Sequence, residues 1–136
     1  MKSISSKKLK GNILIPGDKS ISHRLVILSS IAIGHSNIKG ILKSDDIMKT
    51  IEAMQNFGAS IEFLSPFNCS IKGVGLGGLS EPKSALDFGN SGTAARLVMG
   101  LSASHPITTI YIGDTSLSTR PMDLSLIHIS EPTRPY

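Results

Sequence analysis

Stretches of period two and stretches of period 3.6 alternate along this chain, separated by glycine-containing turns, and that alternation confines it to layered α/β arrangements. Residues 12–15 form a β-branched run stopped by Pro16-Gly17, which predicts a strand and a turn. From Ser20 onward Ile21, Leu25, Leu28 and Ala32 recur at helical spacing, predicting an amphipathic helix that turns these residues into the core and uses Gly34 as its C-cap glycine. Residues 37–42 alternate as a strand. Asp45 or Asp46 then caps a second helix, with Ile47, Ile51, Met54 and Phe57 on one face ahead of Gly58. Residues 60–64 and 69–72 flank Ser65-Pro66-Phe67-Asn68 as a β-hairpin. A strand at 85–88, a turn at Gly89-Asn90-Ser91-Gly92, a helix at 94–101, a strand at 107–112 and a turn at Gly113-Asp114 complete the reading. The order is β-α-β-α-β-β and then β-α-β: one complete unit of a repeated α/β architecture and the start of a second.

At 136 residues, 40% hydrophobic and 18% charged, the chain reads as one folded domain with a real core. It is too short to enclose an interdomain cleft. Lys2, Lys7, Lys8 and Lys10 precede only the short apolar run at 13–15, closed by Pro16, so no secretion signal is expected. The single Cys69 can staple nothing within one chain, and the expected setting is reducing and cytoplasmic. A net charge of +4 suits anionic small molecules, while aromatics at 4%, none beside a basic cluster, leave no stacking platform for nucleic acid. No membrane span is expected. Residues 124–136 break the pattern: Arg120-Pro121-Met122 should open a helix, yet Ile127-His128-Ile129 alternates and Pro132 and Pro135 follow. That tail resembles a translated sequencing adapter and is expected to be foreign to the native chain.

The chain writes ten of its fourteen positive charges as lysine, yet Arg24, Arg96 and Arg120 each lie beside a Gly/Ser/Thr-rich turn. A guanidinium offers a planar fork for carboxylate and phosphate, and turns that open onto helix N-termini add backbone N–H groups for the same anions. Three such places predict a polyanionic ligand; the plainer reading makes each arginine a surface ion pair. In Gly17-Asp18-Lys19-Ser20-Ile21-Ser22-His23-Arg24, Ser20 and Arg24 are four apart, so Lys19, Ser20 and Arg24 can converge at a helix start. His23 has no carboxylate spaced to orient it as a base, and a hydrogen-bonding or surface role is expected. Gly89-Asn90-Ser91-Gly92-Thr93 leading to Arg96 repeats the device without the lysine of a Walker A loop, and Gly113 through Arg120 is the third case.

Gly73, Gly75 and Gly78 satisfy G-x-G-x-x-G, but Pro82 stands where the phosphate-facing helix should begin, so they are read as a flexible loop. Cys69 and the histidines have no metal-ligand spacing, and Asp45-Asp46 reads as a helix cap rather than an acid pair.

Together residues 16–24, 87–96 and 113–122 resemble the motifs of the EPSP synthases, the enolpyruvyl transferases of the shikimate pathway to chorismate and the aromatic amino acids. The resemblance runs in order over residues 10–123. It implies a two-domain protein built of repeated β-α-β-α-β-β units, with the active site in the cleft between domains. Such enzymes transfer the enolpyruvyl group of phosphoenolpyruvate to the 5-hydroxyl of shikimate 3-phosphate and release phosphate through a tetrahedral intermediate, with no metal or organic cofactor. By that resemblance Lys19 touches both substrates, Ser20 and Arg24 hold shikimate 3-phosphate, and Gly92 with Arg120 holds phosphoenolpyruvate. Asn90, Thr93 and Arg96 support the same pocket. The acid/base carboxylates would lie beyond residue 136, the first strand would pair within the other domain, and the full-length protein would be a monomer. Leu97 departs from the pattern, standing where many members have Pro. Two alternatives stay open: a UDP-N-acetylglucosamine enolpyruvyl transferase, disfavoured by residues 19–24, and a non-catalytic anion-binding module.

Overall fold

A computed structural model of the chain describes residues 10–13 and 15–122. Asp18 starts helix α1 (Lys19–Ile31) by accepting the Ile21 backbone N–H at 2.8 Å, the bond an N-cap carboxylate is suited to make. Strand β1 (Ile33–Lys39) follows, then helix α2 (Asp45–Asn56) and the hairpin of β2 (Ser60–Ser65) and β3 (Asn68–Val74). These three strands form an antiparallel sheet in the order β1-β3-β2, with Ile38 opposite Cys69 and Ile61 opposite Ile71. Among the described residues a second sheet holds β4 (Leu86–Asp87) and β5 (Tyr111–Ile112), paired in parallel, as the intervening helix α3 (Gly92–Ser102) requires. The four-residue helix α4 (Thr115–Ser118) is the last element among the described residues.

The core lies between the three-stranded sheet and the helices. As its spacing predicts, α2 buries Ile47, Ile51 and Met54, and Phe57 is buried just past its end; each such burial is worth roughly 1.5–3 kcal/mol. Val26, Ile38, Ile71 and Cys69 meet them from α1 and the sheet, and Phe88, Ala95 and Val98 extend the core toward α3. Burial pushes the Cys69 thiol above its usual range, as expected of a packing cysteine rather than a nucleophile.

Several expected features differ. Helix α1 carries two apolar stripes, and the buried one is not Ile21, Leu25 and Leu28, of which Ile21 and Leu28 are 59% and 60% exposed. Its inward face is Ser22, His23, Val26, Ile27 and Ser30. Those polar groups are tolerated because each is hydrogen-bonded: Ser22 Oγ donates to Asp18 O and accepts from Leu42 N, and Ser30 Oγ donates to Val26 O. Ala32 is the extended C-cap of α1 and Gly34 lies in β1 opposite Gly73, so β1 starts and ends earlier than 37–42. A Cβ on Gly73 would sit 2.2 Å from Ala32 O, so the glycine lets the end of α1 lie against β3; it is a packing position and not a flexible loop. Ser44, not an aspartate, occupies the N-cap of α2, leaving Asp45 and Asp46 in its first turn. Residues 12, 13 and 15 form no strand, for no described strand supplies the ladder they need. The strand expected over 107–112 is ordered as such only at Tyr111–Ile112, because β4 offers only a two-residue partner. Pro121 and Met122 are not helical, and residues 124–136 lie outside the described residues.

His23 joins α1 to α2. Thr50 Oγ1 donates to Asp46 O at 3.2 Å, so its oxygen accepts from His23 Nδ1 at 2.7 Å, which puts the imidazole proton on Nδ1. The ring is fully buried, and desolvation, then the charges of Lys19 and Arg24, hold its pKa below the ordinary 6.5, with Asp46 opposing. A histidine that titrates lower in the fold than in the unfolded chain costs nothing above pH 6.5. Below 6.5 the unfolded state binds the extra proton and stability falls, by at most ~1.4 kcal/mol per pH unit, until the folded pKa is passed. Chemical denaturation at a series of pH values should therefore show a shallower acid decline for His23→Asn than for the parent; equal slopes would contradict a neutral, buried His23.

Candidate anion-binding site

Two helix starts and one arginine build the site. At the first, Gly17 passes so close to the β1–α2 loop that a Cβ would lie 2.1 Å from Gly40 O, and Ser22 Oγ takes the Leu42 N–H at 3.0 Å. These contacts fix the start of α1 against the loop that launches α2. Lys19, the first residue of α1, then forms an ion pair with Asp46 in the first turn of α2. The pair is half exposed on the lysine side, so it orients the ammonium without removing it from solvent.

The second start is held just as locally. Asp87 Oδ1 accepts the Gly89 N–H at 2.9 Å and its other oxygen pairs with Lys49 Nζ at 2.9 Å. The Gly89 N–H and then Lys49 hold the Asp87 carboxyl below the usual range, and Asp87 raises Lys49 in return. Gly89, at φ +52°, turns its carbonyl to the Asp114 N–H at 2.9 Å, which ties the turn before α3 to the turn before α4. Asp114 caps α4 through the Leu117 N–H at 2.7 Å, and the short helix delivers Arg120 back over α3. There the Arg120 guanidinium donates to Asn90 Oδ1 and to Ser116 Oγ. Arg96 Nη2 donates to Pro121 O at 2.9 Å, bracing the segment that carries Arg120.

These elements enclose an open cavity of about 290 Å³ lined by Lys19, Asp46, Asn90, Ser91, Gly92, Thr93 and Arg120. Two cations and the N-terminus of α3 face one space, a combination suited to an anion with more than one charged group. Of the residues expected from sequence, Lys19, Asn90, Gly92, Thr93 and Arg120 meet here. Ser20 and Arg24 do not line it: both are exposed on α1, and Arg24 Nη1 donates to Ser20 O at 3.1 Å. Arg96 lies behind the site, as a brace. By spacing alone Asp46 reads as a cap and Ser91 as part of a turn; only the meeting of α1 with α2 shows Asp46 as the partner of Lys19. The described residues hold no cluster of His, Cys, Asp and Glu able to bind a metal, and no helix long and apolar enough to cross a membrane.

Comparison with known proteins decides the family. The profile described as EPSP synthase (3-phosphoshikimate 1-carboxyvinyltransferase) matches residues 4–130. The chain belongs to the EPSP synthase family. It is 52% identical over 126 residues to the 3-phosphoshikimate 1-carboxyvinyltransferase of Parvibaculum lavamentivorans, a match that covers 93% of this chain and 28% of the relative. The Sphingopyxis alaskensis protein of the same name is 54% identical over 118 residues, 87% of this chain and 26% of that protein. Among solved structures, EPSP synthase from Acinetobacter baumannii superposes with a TM-score of 0.84 at 39% identity, over 88% of this chain and 27% of its own. The chain thus spans about a quarter of the length of the EPSP synthases it matches.

Gly92 tests the geometry. A Cβ there would lie 2.9 Å from Arg120 Nη1 and 3.7 Å from Leu117 Cδ1, while alanine is otherwise favoured at a helix start of ordinary φ. Gly92→Ala should leave the melting temperature unchanged or slightly raised and weaken binding of inorganic phosphate in this cavity several-fold by displacing the guanidinium, roughly 1 kcal/mol. Unchanged affinity with a displaced Arg120, or a collapse in stability, would contradict this arrangement.

Proposed function

We propose that the protein to which this chain belongs transfers the enolpyruvyl group of phosphoenolpyruvate to the 5-hydroxyl of shikimate 3-phosphate, releasing phosphate, and that this chain supplies one wall of the cleft. The observation that carries the reading is that Lys19, Gly92 and Arg120 line one and the same cavity. Both substrates carry a phosphate and a carboxylate, and two fixed cations at a helix N-terminus neutralise and align such groups. In this reading Lys19 touches both substrates, Ser20 and Arg24 hold shikimate 3-phosphate on the outer side of α1, and Gly92 and Arg120 hold phosphoenolpyruvate. Asn90 aims the Arg120 fork, Thr93 lines the pocket and Arg96 keeps the arginine-bearing segment in place.

The acid/base chemistry belongs to carboxylates outside this chain. The run at residues 12–15, whose described members Asn12, Ile13 and Ile15 are exposed and join no described strand, is proposed to find its sheet in the second domain, and residues 124–136 to be foreign to the native sequence. The native protein is proposed to be a cytoplasmic monomer.

Grafting residues 10–122 in place of the matching segment of the Parvibaculum lavamentivorans relative tests the reading. The graft should release phosphate only when both substrates are present, and the isolated 136-residue chain should release none. A folded graft without turnover, or turnover by the isolated chain, would refute it. Within the graft Arg24→Ala should raise KM for shikimate 3-phosphate and Arg120→Ala that for phosphoenolpyruvate, each by roughly ten- to a hundredfold. Lysine at either position should restore only part of the loss, since it keeps the charge without the fork. Equal losses toward both substrates in both variants would withdraw the separate assignments.

A further inference from the structure

Among the described residues near the site, His23 is a fully buried titratable side chain that touches no substrate in the reading above. Its surroundings are specific. The Nδ1–H donates to Thr50 Oγ1 at 2.7 Å, and the Thr50 hydroxyl in turn donates a hydrogen bond to the Asp46 backbone carbonyl at 3.2 Å. Asp46 is the residue whose carboxylate pairs with Lys19, and Lys19 lies one helical turn before His23 on α1. The hydrogen bonds and the ion pair therefore close a loop between the two helices: Lys19 to His23 along α1, His23 to Thr50 across, Thr50 to Asp46 along α2, and Asp46 back to Lys19. Nε2, by contrast, is buried and meets no protein partner among the described residues. The ring is thus held by one nitrogen, at a cost in stability that packing alone does not explain.

We infer that His23 is a positioning residue, whose Nδ1–H fixes the register of α1 against α2 so that Asp46 holds the Lys19 ammonium toward the anion cavity. The inference rests on the proposed function for its kinetic readout, but its geometry does not depend on turnover. Lys19 has a long, half-exposed side chain, and Asp46 is its one ion-pair partner among the described residues. A small rotation of α2 would carry the Asp46 carboxylate away. Lys19 would then sample solvent rather than the cavity, weakening ligand binding more than the chemical step.

Asparagine and glutamine separate the two ring nitrogens. Asn presents an N–H where Nδ1 stands, and Gln presents one where Nε2 stands. In the grafted enzyme His23→Gln and Thr50→Val should each raise KM for shikimate 3-phosphate roughly tenfold with a smaller change in kcat, while His23→Asn should recover most of that loss. The double variant His23→Gln/Thr50→Val should be no worse than Thr50→Val alone, because both break one link. Equal losses for Asn and Gln, additive losses in the double variant, or a KM that none of the substitutions moves would overturn the inference. If the unsubstituted graft shows no turnover, the functional reading fails by itself. The same ranking is then read from inorganic-phosphate affinity of the unfused chain by NMR titration, each variant first shown to be folded by protection of its Cys69 thiol.

Discussion

The contact between α1 and α2 is the constraint on which the site depends. Both helices start at the same corner of the molecule, and five side chains settle how they meet. Ser22 anchors the loop at Leu42, His23 and Thr50 bond across the helix faces, and Lys19 pairs with Asp46 at the open end. The apolar packing of Val26 and Ile27 near Ile47 and Ile51 supplies most of the free energy but little direction, since hydrophobic contact is not oriented. Hydrogen bonds in a buried setting are oriented, and leaving one unmade is costly. The polar face of α1 therefore does what a purely apolar face could not: it fixes where Lys19 points.

The second half of the site is attached to that corner rather than built beside it. Lys49, on α2, holds Asp87, and Asp87 shapes the Gly89 turn from which α3 begins. The Gly89 carbonyl in turn captures Asp114, and through α4 the position of Arg120 follows. A chain of local contacts thus runs from α2 to both cations. Neither cation lies in the hydrophobic core, and both remain accessible to a ligand because the constraints act on the backbone near them. That separation of a rigid base from exposed charged heads is what a site for doubly charged small molecules needs.

Much of this was legible in the sequence. The alternation of periods, the hairpin around Pro66-Phe67 and the apolar face of α2 are local signals, and local signals survive into the fold. Lys19, Asn90, Gly92, Thr93 and Arg120 were legible because each follows or lies in a glycine-containing turn before a helix. The buried face of α1 was not. Ile21, Leu25 and Leu28 obey the helical period as well as Val26 and Ile27 do, and the choice between the stripes rests on partners far along the chain, above all Thr50 and Leu42. Asp46 reads as a cap for the same reason: its spacing shows a helix start, whereas its pairing with Lys19 exists only once the helices meet. The strand expected at residues 12–15 has its pattern, but its described residues find no partner among the described strands, and pattern without a partner does not make a ladder.

Titration of the isotopically labelled chain with phosphoenolpyruvate, followed by amide chemical shifts, tests most directly whether one anion site spans both helix starts. The amides of Lys19 and Ser20 should move together with those of Gly92, Thr93 and Arg120, along one binding curve with one dissociation constant. Two curves with different constants, or movement confined to one helix start, would mean that the α1–α2 corner and the α3 turn bind independently and that the site described is not a single one.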